Sequence, residues 1–79
     1  MFTKVTKLWQ VEDFDCNYKI FANLNTALKY MAQLIDESNE TLSGKLDMYK
    51  ELINTMSNDD GCIYIDSFAW CYAVDYIQD

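Results

Sequence analysis

Residues 62–77 read CIYIDSFAWCYAVDYI. This stretch decides the fold class, because its second half supports two different periods. Trp70, Tyr72, Val74 and Tyr76 alternate, which gives a strand one apolar side. Trp70, Ala73, Val74 and Ile77 also fit a helical stripe. The aromatic enrichment favours a strand, and Asp66-Ser67 has the composition of a hairpin corner. Cys62 to Ile65 is then the partner strand, entered from the turn Asn58-Asp59-Asp60-Gly61. Paired about that corner, one side of the hairpin carries Ile63, Ile65, Trp70, Tyr72, Val74 and Tyr76. The other carries Cys62, Tyr64, Asp66, Ala69, Cys71, Ala73 and Asp75. Neither side has the dense charge of a fully solvated sheet face. The side left uncovered should therefore expose aromatic or small apolar residues beside Asp66 and Asp75.

The rest of the chain supplies one more hairpin and two helices. Phe2 to Val11 is rich in β-branched and aromatic residues and reads as a strand. Glu12 to Asn17 is a turn, and Tyr18 to Ala22 a second, short strand. Asn25 and Thr26 can cap a helix starting near Ala27. Leu24, Leu28, Met31 and Ile35 form its apolar stripe, and Ser38-Asn39 ends it. Leu42, Leu46, Tyr49, Ile53 and Met56 repeat that spacing and predict a second helix over about 42–56. Leu28, Met31, Ile35, Leu46, Ile53 and Met56 are the expected core. The order is ββααββ, an α+β chain with a small antiparallel sheet and a helical pair packed on one face. Its 79 residues are expected to form a single domain, 1–79.

Charge narrows the function. Thirteen Asp and Glu stand against six Lys, with no Arg and no His, for a net charge of −7. Such a chain is repelled by nucleic acid and by anionic membranes, and a basic protein surface is its natural complement. Without His, neither Ser- nor Cys-based catalysis has its usual base. No glycine loop for phosphate exists, so an enzyme is not expected. Cys16, Cys62 and Cys71 contain no C-x-x-C pair and read as free thiols of a reducing, cytoplasmic protein. Asp13, Asp15 and Asn17 have the opening spacing of a calcium loop. Tyr18 stands where that loop needs Gly, and Leu24 where it needs a bidentate Glu. No metal or cofactor is therefore expected. No run approaches the ~18 apolar residues of a membrane span.

In composition, over its whole length, the chain resembles small acidic phage-encoded anti-defence proteins, such as anti-CRISPR proteins and anti-restriction DNA mimics. The shared features are small size, abundant Asp and Tyr, absence of Arg and no catalytic set. The resemblance implies an inhibitor acting in the host cytoplasm on a nuclease, a CRISPR effector or another nucleic-acid-binding complex. The partner-binding residues expected are Asp59, Asp60, Asp66, Asp75, Tyr64 and Trp70. The secondary candidates are the residues around Glu12, Asp13 and Asp15, or the turn carrying Asp36, Glu37 and Glu40. The alternative is a homodimeric interaction or assembly module whose acidity serves solubility.

Overall fold

The computed structural model describes residues 4–58 and 61–78. The elements are β1 (Lys4–Asp13), β2 (Tyr18–Phe21), α1 (Leu24–Glu37), α2 (Leu42–Thr55), β3 (Ile63–Ile65) and β4 (Ala69–Gln78). The chain is α+β, with a four-stranded antiparallel sheet in the order β2-β1-β4-β3. The contested C-terminal segment is a ten-residue strand, the longest in the sheet together with β1. Its alternation wins over the helical stripe because β1 pairs with its whole length, from Lys4–Gln78 to Asp13–Ala69. Asp59 and Asp60 lie outside the described residues, as does Phe2, where the first strand was expected to start.

Register sorts the sheet into two unlike faces. Every pairing joins residues of like parity, such as Trp9–Phe21, Val11–Cys71 and Ile63–Cys71. Odd-numbered residues therefore share one face and even-numbered residues the other. The odd face supplies Val11, Ile63, Ile65, Ala69 and Cys71 to the core, where they meet Ala27, Met31 and Ile35 of α1 and Leu52 of α2. The even face carries Leu8, Gln10, Glu12, Tyr18, Ile20, Tyr64, Trp70, Tyr72, Val74 and Tyr76, and none of these is buried.

This corrects the faces expected for the C-terminal hairpin. Ile65 pairs with Ala69, so the connection is Asp66-Ser67-Phe68 rather than a two-residue corner. The Phe68 amide donates to the Ile65 carbonyl at 3.0 Å. Ser67 takes a left-handed φ of 59° to close the turn. One extra loop residue flips the whole of β3 relative to β4. Tyr64 consequently sits beside Trp70 on the even face, and Ile63 and Ile65 go to the core with Cys71.

The helices also depart from expectation at two points. Asn23, not Asn25 or Thr26, caps α1: its Oδ1 accepts from the Thr26 amide at 2.9 Å and the Thr26 hydroxyl at 2.8 Å. The larger correction concerns α2. Leu42, Leu46, Ile53 and Met56 are 76%, 53%, 63% and 49% exposed, while Leu52 and Thr55 are buried. The expected burial of Leu46, Ile53 and Met56 is thus wrong, whereas Met31 and Ile35 are fully buried and Leu28 half-buried.

The reason is where α2 is fastened. The Thr55 hydroxyl accepts from the Tyr64 amide at 3.0 Å and lies 2.9 Å from the Tyr64 carbonyl oxygen, to which it can donate. Glu51 takes the Asp66 amide. Both ties turn Met48, Leu52 and Thr55 inward along the short edge strand β3. Thr55→Val keeps the shape and removes the hydroxyl, leaving Tyr64 without these partners. We expect a loss of about 1–3 kcal/mol, read by urea denaturation; an unchanged midpoint would show that the clamp is not needed.

Candidate functional site

Three turns from distant parts of the sequence meet at one end of the molecule. The first joins β1 to β2. The Asp13 amide donates to the Asn17 carbonyl at 2.9 Å and the Cys16 amide to the Asp13 carbonyl at 3.1 Å. Cys16, with φ 65°, takes the left-handed position such a three-residue loop requires. The Asp13 carboxylate accepts from the amides of Asp15 at 2.9 Å and Asn17 at 3.0 Å. The D-x-D-x-N spacing is therefore used to build a hairpin turn. The second turn is Asp66-Ser67-Phe68, and the Phe14 amide donates to the Phe68 carbonyl at 3.0 Å, which ties the two turns together. The third joins α1 to α2.

Between them lies a cleft of about 400 Å³ lined by Phe14, Glu37, Ser38, Asn39, Glu40, Ser67 and Phe68. The Phe14 and Phe68 rings are 6.3 Å apart and tilted by 34°. Phe14 is 61% exposed. Gly44, in the first turn of α2, leaves room for the Glu40 carboxylate: a Cβ there would lie 2.7 Å from Glu40 Oε2. The same turn is capped by Thr41, whose hydroxyl accepts from the Gly44 amide at 3.1 Å, and a helix N-terminus favours a carboxylate nearby. Aromatic rings under a carboxylate rim suit a lysine or arginine side chain, with its stem on the rings and its charge among the acids.

The expected partner-binding residues divide between three places. Glu37 and Glu40 line the cleft, while Asp13, Asp15 and Asp66 lie on the two hairpin turns that form its other wall; these turns make up an acidic pole, and none of the three contains a Lys. Asp36 is beside it but engaged: its carboxylate accepts from the Tyr49 hydroxyl at 2.5 Å, and its carbonyl from Lys45 Nζ at 2.8 Å. The hydrogen bond to Asp36, burial and the Asp36 charge push the Tyr49 phenol up from its ordinary value. Tyr64 and Trp70 are cross-strand neighbours on the even sheet face. Glu12 is on that face too, opposite Trp70, and lies 3.4 Å from the Tyr72 hydroxyl. Burial, then the Glu12 charge and hydrogen bond, raise the Tyr72 phenol, partly offset by Gln10, whose amide donates to the same hydroxyl at 2.8 Å. Asp75 is not with the others: it pairs with Lys7 on the odd face, toward the far end of the β1–β4 ribbon. Phe14 and Phe68 were missed by sequence reasoning. Their only signal is an aromatic residue in each hairpin turn, which becomes meaningful once the turns touch.

The thiols are unlike one another. Cys16 is exposed and Cys71 buried. Burial, with a smaller contribution from Cys62, pushes the Cys71 thiol up to about 11. A thiol-specific reagent near pH 8 should label Cys16 rapidly and Cys71 only after unfolding, since the thiolate is the reacting form. Equal labelling rates, followed by peptide mass mapping, would contradict the burial of Cys71.

Among the described residues, no group of three or more His, Cys, Asp or Glu is gathered to hold a metal ion. No helix among them is long and apolar enough to cross a membrane. Comparison of the chain with protein-family models, with characterised proteins and with solved structures finds no match.

Proposed function

We propose that the chain is a non-catalytic, protein-binding inhibitor that uses its acidic pole to occupy the nucleic-acid-binding surface of a basic partner. The observation that carries this reading is the cleft that Glu37 and Glu40 line together with Phe14, Ser67 and Phe68, with Asp13, Asp15 and Asp66 on the two hairpin turns that supply those rings. Carboxylates grouped this way repeat the negative charge of a phosphate backbone. The cleft gives a partner's Lys or Arg a seat that charge alone does not provide. In this reading the helical pair of the ββααββ chain packs on the odd face as a rigid support that holds the α1–α2 turn against the two hairpin turns. The partner class is a nuclease or CRISPR effector of the host, met in its cytoplasm by a phage-encoded protein. The even sheet face, with Tyr64 and Trp70, is a separate surface.

Salt tests the reading. At about 0.1 M salt the Debye length is about 10 Å, and at about 1 M it is about 3 Å. The immobilised chain should retain a basic, nucleic-acid-binding protein from a bacterial lysate at the lower salt and release it at the higher. Retention indifferent to salt would place the contact on apolar surface and overturn the use of the acidic pole.

A further inference from the structure

Independently of the acidic pole, we infer that the even sheet face is where two copies of this chain meet. The face is nearly free of charge in a chain that is 24% charged. Glu12 is the one charged residue among its described side chains, and it is already beside the Tyr72 hydroxyl. Lys7 and Lys19 belong to the odd face and lie 6.0 Å and 4.8 Å from the Trp9 and Tyr30 rings. A chain of net charge −7 repels its own copies over most of its surface. Sheet-to-sheet contact through this face brings two copies together with the carboxylate-rich turns at the margin. A basic partner gains no charge complement here, whereas an identical apolar face is its own complement about a two-fold axis.

The exposed area is of the order a dimer needs. Tyr18, Tyr64 and Tyr76 are 62%, 41% and 52% exposed and Ile20 is 51% exposed. At roughly 200 Å² per aromatic side chain, the three tyrosines alone leave about 300 Å² in water. With Ile20 and the partly exposed Leu8, Gln10, Glu12, Trp70, Tyr72 and Val74, the face reaches at least the upper part of the ~300–600 Å² patch typical of a monomer and extends toward the ~800 Å² per partner of a standard interface. Two sheets stack about 10 Å apart, which lets these side chains interdigitate.

Sedimentation equilibrium on the full chain decides it. At about 100 µM, far above a micromolar Kd, the mass should be twice 9.3 kDa. Tyr64→Lys with Val74→Lys should halve it while the far-ultraviolet circular dichroism is kept. Leu46→Lys with Ile53→Lys, on the exposed stripe of α2, should leave the dimer intact. A 9.3 kDa wild type at that concentration would overturn the inference, as would a dimer split by the α2 pair alone. Should the sheet variant not fold, the Trp9→Phe chain supplies the readout. Iodide quenching of Trp70 must then rise as dilution lowers the mass, and quenching independent of dilution would equally overturn the dimer. Loss of partner binding on reversing the acidic pole is a different result on a different surface, so neither outcome can stand for the other.

Discussion

Met31→Ala should unfold most of the chain at room temperature. Met31 is fully buried in the cluster that joins α1 to Val11, Ile63 and Cys71. Truncating such a side chain removes its transfer energy and leaves a cavity, at a cost of about 2–5 kcal/mol. A chain below roughly 80 residues draws only about 3–5 kcal/mol from one core. Ile35→Ala, equally buried and one helical turn away, should behave alike. Leu46→Ala and Ile53→Ala should stay within about 0.5 kcal/mol of the parent, as surface substitutions do. Urea denaturation of the four variants gives the comparison. If Leu46→Ala proves as damaging as Met31→Ala, α2 presents the other stripe to the sheet, and the ties of Thr55 and Glu51 to β3 are wrong.

The contrast between Met31 and Leu46 marks where sequence reasoning reaches and where it stops. The stripe of α1 was readable because its one apolar side is the side that packs. On α2 two neighbouring stripes satisfy a helical period. Leu42, Leu46, Ile53 and Met56 are the more apolar, yet Met48, Leu52 and Thr55 face the sheet. The choice follows the ties of Thr55 to Tyr64 and of Glu51 to the Asp66 amide, which no periodicity reveals. The strand nature of 69–78 was readable from aromatic alternation. Its facing relative to Ile63 and Ile65 depended on whether the loop has two residues or three, and Ser67 in a left-handed conformation gives no composition signal. The acidic pole was half readable. Asp13 with Asp15 and Glu37 with Glu40 were identified as two alternative secondary sites, and Asp66 as part of the first candidate. That three turns converge on Phe14 and Phe68 is a tertiary fact. Asp75 was grouped with Asp66 because a two-residue corner puts both on one side of the hairpin; the three-residue loop and the length of β4 separate them.

The second large effect concerns the acidic pole. Asp15→Lys, Glu37→Lys, Glu40→Lys and Asp66→Lys, combined in one chain, invert four charges on the three segments that form the cleft and leave the core side chains unchanged. Asp13 is kept, because its carboxylate holds the first turn together. Each reversal replaces an attraction to a basic surface with a repulsion, and charged contacts close to an interface are coupled by about 1.5 kcal/mol or more. Affinity should fall at least a hundredfold, equivalent to about 2.7 kcal/mol. Phe14→Ala with Phe68→Ala should weaken binding about tenfold at unchanged charge, which separates the cleft from the field around it.

The most direct measurement is displacement. The basic protein retained by the immobilised chain is loaded with a labelled nucleic-acid duplex, and fluorescence anisotropy follows the label as the chain is added. The wild type should release the duplex stoichiometrically, and the four-lysine variant, folded by circular dichroism, should not. Binding of the wild type to the partner while the duplex stays in place, or displacement undiminished by the four reversals, would contradict an inhibitor that works through its acidic pole.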